Sequence, residues 1–286
     1  MNDINETSPI GVFDSGLGGL TVARELRARL PRENLVYFGD TARVPYGTKS
    51  AATVQRFAGQ CLRFLLSHRP KLLVVACNTA SALALDALKS EFPVPVIGVL
   101  EPGAQAAVAV ARAMPGNGGA GTRIGLIATE ATINSNAYTA AVRRLDPKIH
   151  VLARACPLLV PLIEEGRPPT DAVVSLVLKE YLQPFMELHV SALILGCTHY
   201  PILAEAIAAV LPGVTLIDSA RQTALVVSDL LATMPATAAG QSNGTLTCYV
   251  TDQGQRFERL ASRFLGQSVG QPIWVTPEML EAEIRN

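Results

Sequence analysis

Long apolar runs are missing from this chain. The longest, such as Leu72–Cys77, extend for about six residues, whereas a membrane-spanning helix needs about 20. Met1–Pro9 is polar, carries two acids and has neither a basic nor an apolar segment, so it does not read as a signal peptide. A soluble, cytoplasmic protein without a membrane partner is expected. Neither charge is in excess: Lys+Arg and Asp+Glu both number 24. With no basic surplus to neutralise a phosphate backbone, nucleic acid is not expected as the primary partner. Closely spaced cysteines are also lacking. Cys61, Cys77, Cys156, Cys197 and Cys248 are odd in number and form no Cys-x-x-Cys pair, which removes support for a zinc or thioredoxin-like site. In a reducing cytosol they are free thiols. Among five lysines only Lys49 sits in a Gly/Ser/Thr setting. A helix cap at Ser50 explains that setting more simply than a Schiff base. These residues therefore give no support to a zinc site or to pyridoxal phosphate.

What is present is a composition for a large core: 286 residues, 49% hydrophobic and 17% charged, the reverse of a disordered balance. Short apolar strands alternate with amphipathic helices. Strands are expected at Ile10–Phe13, Leu35–Phe38, Leu72–Ala76, Val96–Val99, Ile124–Ala128, Val151–Ala153, Ala192–Leu195, Leu216–Asp218 and Thr247–Val250. One helix follows the Ser50 cap and presents Val54, Phe57, Cys61, Leu62 and Leu65 at spacings of three and four; another runs from Asp171 to His189. Such βα repeats make an α/β fold of mainly parallel sheets, with ligands bound beyond the C-terminal strand ends. Pro115–Gly121 and Met234–Gly244 read as linkers.

Two echoes join the halves of the chain. Leu72–Cys77 followed by Asn78-Thr79, and Leu193–Cys197 followed by Thr198-His199, each end a strand in a cysteine and then open a helix. More weakly, Gly11–Ser15 resembles Gly125–Thr129. Two similar α/β halves facing across a cleft explain both. A thiol at a helix N-terminus is expected to have a lowered pKa, and the exposed N–H groups there bind carboxylates. Two such thiols on opposite walls suit the inversion of a stereocentre, in which one face loses a proton and the other gains one. The plainer alternative for each cysteine is a small buried hydrophobe. The turn Gly16–Thr21 lacks both the third glycine of a dinucleotide fingerprint and the lysine of a P-loop. It reads instead as a glycine-rich turn placing Asp14 and Ser15 at the cleft edge. In isolation, Asp14 also fits a helix-capping acid, Tyr46 and Gly47 an ordinary loop, His199 a structural histidine and Glu164 a helix-terminal charge.

The segments Gly11–Thr21, Tyr37–Thr41, Val44–Gly47, Ala76–Ala80 and Gly196–Pro201 together resemble those of the glutamate racemases, in the aspartate/glutamate racemase family. The likeness continues through Ile217–Ala220 and Arg263–Gly266. It implies a cofactor-independent, two-base interconversion of L- and D-glutamate, with Cys77 and Cys197 exchanging the proton. Asp14 would assist Cys77 and His199 would assist Cys197, with Glu164 near the second cysteine. The pairs Asp14-Ser15, Tyr46-Gly47, Asn78-Thr79 and Thr198-His199 would bind substrate, and the product would feed peptidoglycan synthesis. The resemblance further implies two pseudo-symmetric domains, 1–99 plus 214–286 and 100–213, and a homodimer. An aspartate racemase shares the two-cysteine logic, although His199 stands where those enzymes carry an acid. A non-catalytic small-molecule binding protein would need the carboxylate-binding groups but not two thiols, and a redox protein would need the two cysteines close enough for a disulfide.

Overall fold

The computed structural model describes residues 5, 7–114, 122–234, 243–252 and 257–282. The linker expected at Pro115–Gly121 lies outside them, as does most of that expected at Met234–Gly244. All nine expected strands form: β1 (Ile10–Asp14), β2 (Leu35–Gly39), β3 (Leu72–Val75), β4 (Val96–Gly98), β5 (Arg123–Ala128), β6 (His150–Ala155), β7 (Ala192–Gly196), β8 (Thr215–Asp218) and β9 (Leu246–Val250). A tenth, β10 (Ile273–Trp274), was not foreseen, because two exposed residues carry no periodic signal.

The strands build two sheets, ordered β10-β9-β2-β1-β3-β4 and β6-β5-β7-β8, and every pairing is parallel. The central order β2-β1-β3-β4 is repeated as β6-β5-β7-β8, so β1 corresponds to β5 and β3 to β7. Packing repeats with it. A β-carbon on Gly11 would lie 2.7 Å from Leu73 of β3, and one on Gly125 would lie 2.7 Å from Leu193 of β7. The glycine echo therefore marks the place where each central strand lets a leucine from its neighbour cross its face.

The chain passes from the first sheet to the second through the helix Leu100–Ala113, and returns through the helix Ser219–Ala232. The expected boundary at 214 gave β8 to the first half. Instead, Ala192–Leu195 of β7 pairs with Thr215–Asp218, so the change of sheet falls after Asp218. The returning helix packs against both Leu20–Arg29 and Leu100–Ala113. One apolar cluster runs from Ile10 and Val12 through Leu20 and Ala220 to Leu193 and Leu195, so the two sheets share a core. Local signals hold where expected. Ser50 accepts from Thr53 N–H to cap the helix Ala51–Ser67, and Asp171 accepts from Val173 and Val174 N–H to cap Ala172–Glu187, each cap contributing about 1 kcal/mol. No helix among the described residues is long and apolar enough to cross a membrane.

Candidate active site

The C-terminal ends of β1, β3, β5 and β7 converge on one cavity of about 340 Å³, the position expected for ligands in parallel α/β sheets. Its lining includes Ser15, Tyr46, Gly47, Cys77, Asn78 and Thr79 from the first sheet's side, and Glu164, Cys197, Thr198 and His199 from the second's. Ten of the eleven residues singled out from the sequence thus meet in one space. The eleventh, Asp14, lies behind the wall: it is fully buried, and its Oδ2 accepts from Gly16 N–H at 2.9 Å. A larger groove of about 960 Å³, between the helices Ala172–Glu187 and Ala204–Val210, contains none of these residues.

Cys77 follows β3 and caps the helix Asn78–Leu83, its Sγ accepting from Ala80 N–H at 3.5 Å and donating to Ser15 Oγ at 3.4 Å. The expectation of a lowered pKa is overturned. Burial and then the nearby charge of Asp14 push this thiol up to about 12, against the weaker pull of Ser15 and the Ala80 N–H. A six-residue helix offers too little dipole to offset the loss of water around a cysteine only 6% exposed. Cys197 departs from the echo differently. Its strand runs not into an α-helix but into the tight turn Tyr200–Leu203, with the helix Ala204–Val210 beginning beyond it. The helix-dipole argument therefore does not apply to it.

His199 instead serves as the polar partner of Cys197. Its Nδ1 lies 3.8 Å from Cys197 Sγ, and its Nε2 lies 2.9 Å from Glu164 Oε1. Glu164 therefore meets the histidine directly and reaches the cysteine through it. Burial works against a charged imidazole here, but the hydrogen bonds to Cys197 and Glu164 and their charges outweigh it and push the pKa up to about 10. The ring is then an imidazolium at neutral pH, donating from both nitrogens. Phe264 closes its other side, edge to face, at 5.0 Å between centroids. Burial raises the pKa of Asp14, against the His199 charge and the N–H groups of Gly16, Gly19 and Ser15. One of its oxygens, Oδ1, has no hydrogen-bond partner among the described residues.

The remaining polar residues are oriented by partners that the sequence did not reveal. Tyr138 donates to Asn78 Oδ1 at 2.6 Å. The hydroxyls of Thr79, Thr129 and Thr132 form a triangle with sides of 3.0, 3.1 and 3.0 Å that bridges the two halves. Thr21 donates across the halves to the carbonyl of Thr198 at 3.0 Å. Tyr46 lines the cavity, but its hydroxyl is committed to Asp40 at 2.5 Å. That buried carboxylate also accepts from Arg43 and Thr251. Sequence reasoning missed Thr129, Glu130 and Cys156 on the cavity wall. A signal for Thr129 was available, since in the glycine echo it corresponds to Ser15. No lysine or arginine is among the described residues that line the cavity, so among these residues an anionic ligand would be held by N–H groups, hydroxyls, the Asn78 amide and the imidazolium.

The profile of the Asp/Glu/Hydantoin racemase family matches residues 20–226. Over 275 residues the chain is 46% identical to the glutamate racemase of Geobacter metallireducens, covering 96% of this chain and 97% of that one. The crystal structure of Francisella tularensis glutamate racemase in complex with D-glutamate superposes with a TM-score of 0.87 at 41% identity, covering 97% of this chain and 99% of that one. The Thermus thermophilus enzyme in complex with beta-chloro-D-alanine superposes with a TM-score of 0.85 at 46% identity, covering 96% and 100%. Matched by this family profile over more than half its length, and by these relatives over nearly all of it, the chain belongs to the glutamate racemase family of the Asp/Glu/Hydantoin racemases.

Proposed function

We propose that this protein interconverts L- and D-glutamate by moving the Cα proton between Cys77 and Cys197, with no cofactor. The observation that carries the reading is one cavity of about 340 Å³ whose lining includes Cys77, from the end of β3, and Cys197, from the end of β7. In one direction the Cys197 thiolate takes the Cα proton and the Cys77 thiol delivers its own to the opposite face. The enzyme then holds a Cys77 thiolate and a Cys197 thiol, and the reverse reaction restores the first state. Ser15, whose hydroxyl can rotate to donate, and the Ala80 N–H support the Cys77 thiolate when it forms. The His199 imidazolium, backed by Glu164, supports Cys197. The charge that develops at Cα spreads into the substrate carboxylate, to which Asn78, Thr79 and Thr198, all on the cavity wall, and nearby N–H groups would donate.

On this reading the enzyme works in the cytoplasm as a homodimer, and its D-glutamate enters peptidoglycan synthesis. Incubation with L-glutamate in D2O tests the activity, with L-aspartate in parallel. Decay of optical rotation to zero with deuterium uptake at Cα supports the reading, whereas reaction on aspartate alone keeps the chemistry and changes the substrate. No exchange on either amino acid in folded protein favours a binding protein. Sedimentation tests the dimer.

A further inference from the structure

The helix Phe257–Leu265 lies far along the chain from both cysteines, yet it reaches the Cys197 side of the cavity at two points. Phe264, fully buried, packs T-shaped against the His199 ring. Its neighbour Arg263 turns to the short helix Leu159–Glu164: Nη1 donates to the Ile163 carbonyl at 2.8 Å, and Nη2 donates to the Arg167 carbonyl. Ile163 immediately precedes Glu164, and Gly166 N–H closes on the same carbonyl at 3.0 Å. One guanidinium thus holds both ends of the turn that follows Glu164, sharing the Ile163 carbonyl with Gly166 N–H and taking the Arg167 carbonyl beyond the helix. The two acceptors suit a planar fork; an ammonium, a point donor, reaches one of them.

From this geometry, and on the racemase reading above, we infer that Arg263 is a positioning residue: by clamping the backbone on both sides of Glu164 it holds that carboxylate against His199 beside Cys197. The Glu164 side chain is half exposed, at 45%. A long carboxylate with that much access to water gains little from an ion pair unless its backbone is fixed. The clamp supplies that fixing, while Phe264, from the adjacent position on the same helix, fixes the ring. The charged and titratable groups facing His199 are Cys197 on its own turn, Glu164 on the clamped helix and Asp14 at the end of β1. Phe264 adds none. Loosening the clamp changes one of these three interactions and leaves the other two in place.

The test is an NMR titration of the His199 imidazole in the wild type, Arg263→Ala and Arg263→Lys, alongside glutamate racemisation and thermal melting. The chain has only four histidines, so assignment by a His199→Gln control is direct. In folded Arg263→Ala the His199 midpoint is expected to fall toward the ordinary value of about 6.5. The expected loss in kcat is about 10–100-fold, with KM changed less than about threefold, and Arg263→Lys should recover part of both. An unchanged midpoint in either folded variant overturns the inference, even if the rate drops, since the helix would then serve the fold alone. If Arg263→Ala does not fold, Arg263→Lys decides, by a smaller downward shift or none. A wild type that fails to racemise glutamate defeats the racemase reading, while the titration still decides whether Arg263 governs the His199–Glu164 pair.

Discussion

A β-carbon on Gly18 would lie 2.5 Å from Nδ1 of His199 and 2.4 Å from Oγ1 of Thr198. The glycine-rich turn after β1 and the Thr198-His199 pair after β7 therefore touch with no room for a side chain. The residues that resemble part of a nucleotide fingerprint act instead as a close-packed joint between the two halves. Gly18→Ala is expected to push His199 away from Cys197, costing about 1–3 kcal/mol of stability and about 10–100-fold in racemisation rate. Melting curves and kcat check both, and wild-type values for the two would show that the joint yields without consequence.

Replacing either Cys77 or Cys197 by alanine should abolish racemisation, a loss of about 10²–10⁴-fold or more. Each single variant keeps one thiol and so can still remove a proton from one face. Slow deuterium exchange without inversion is expected from opposite enantiomers in the two variants. Full racemisation by either variant would remove the two-thiol mechanism.

The imidazole of His199 binds its proton more tightly in the folded chain, with a pKa of about 10 against an ordinary 6.5. Its contribution to stability is therefore fully present below about pH 6.5 and is lost as pH rises through about 10. Across that window the Tm of the wild type should fall more steeply than that of His199→Gln. Parallel slopes would mean that the ring is neutral in the native state.

The Tyr46 hydroxyl points into the protein toward Asp40, so Tyr46→Phe should act on the fold more than on binding. Removing this donor from a buried carboxylate is expected to cost about 1–3 kcal/mol, with the Arg43 and Thr251 bonds to Asp40 retained. The KM for glutamate should stay within about threefold. A large rise in KM with unchanged Tm would place the hydroxyl on the substrate instead.

Residue types and spacing alone determined the nine principal strands, most directly those buried on both faces, which are written as short continuous apolar runs, as in Leu72–Val75 and Ala192–Gly196. The pairing of Cys77 with Cys197 was legible for a related reason: both end strands in the same local setting, and parallel sheets place such ends on one side. Three other features arose only on folding. The sheet that β8 joins depends on the strand edge it meets, and that edge is β7, which pairs with Thr215–Asp218. The raised pKa of Cys77 comes from the water excluded around it and from Asp14, a residue distant in sequence, and those contributions exceed the local helix effect on which the sequence reading relied. The clamp of Arg263 on Ile163 and Arg167 joins residues about a hundred positions apart. Periodicity and spacing report only what neighbours along the chain do, whereas desolvation, charge and hydrogen bonding act through space, among groups that the tertiary fold alone brings together.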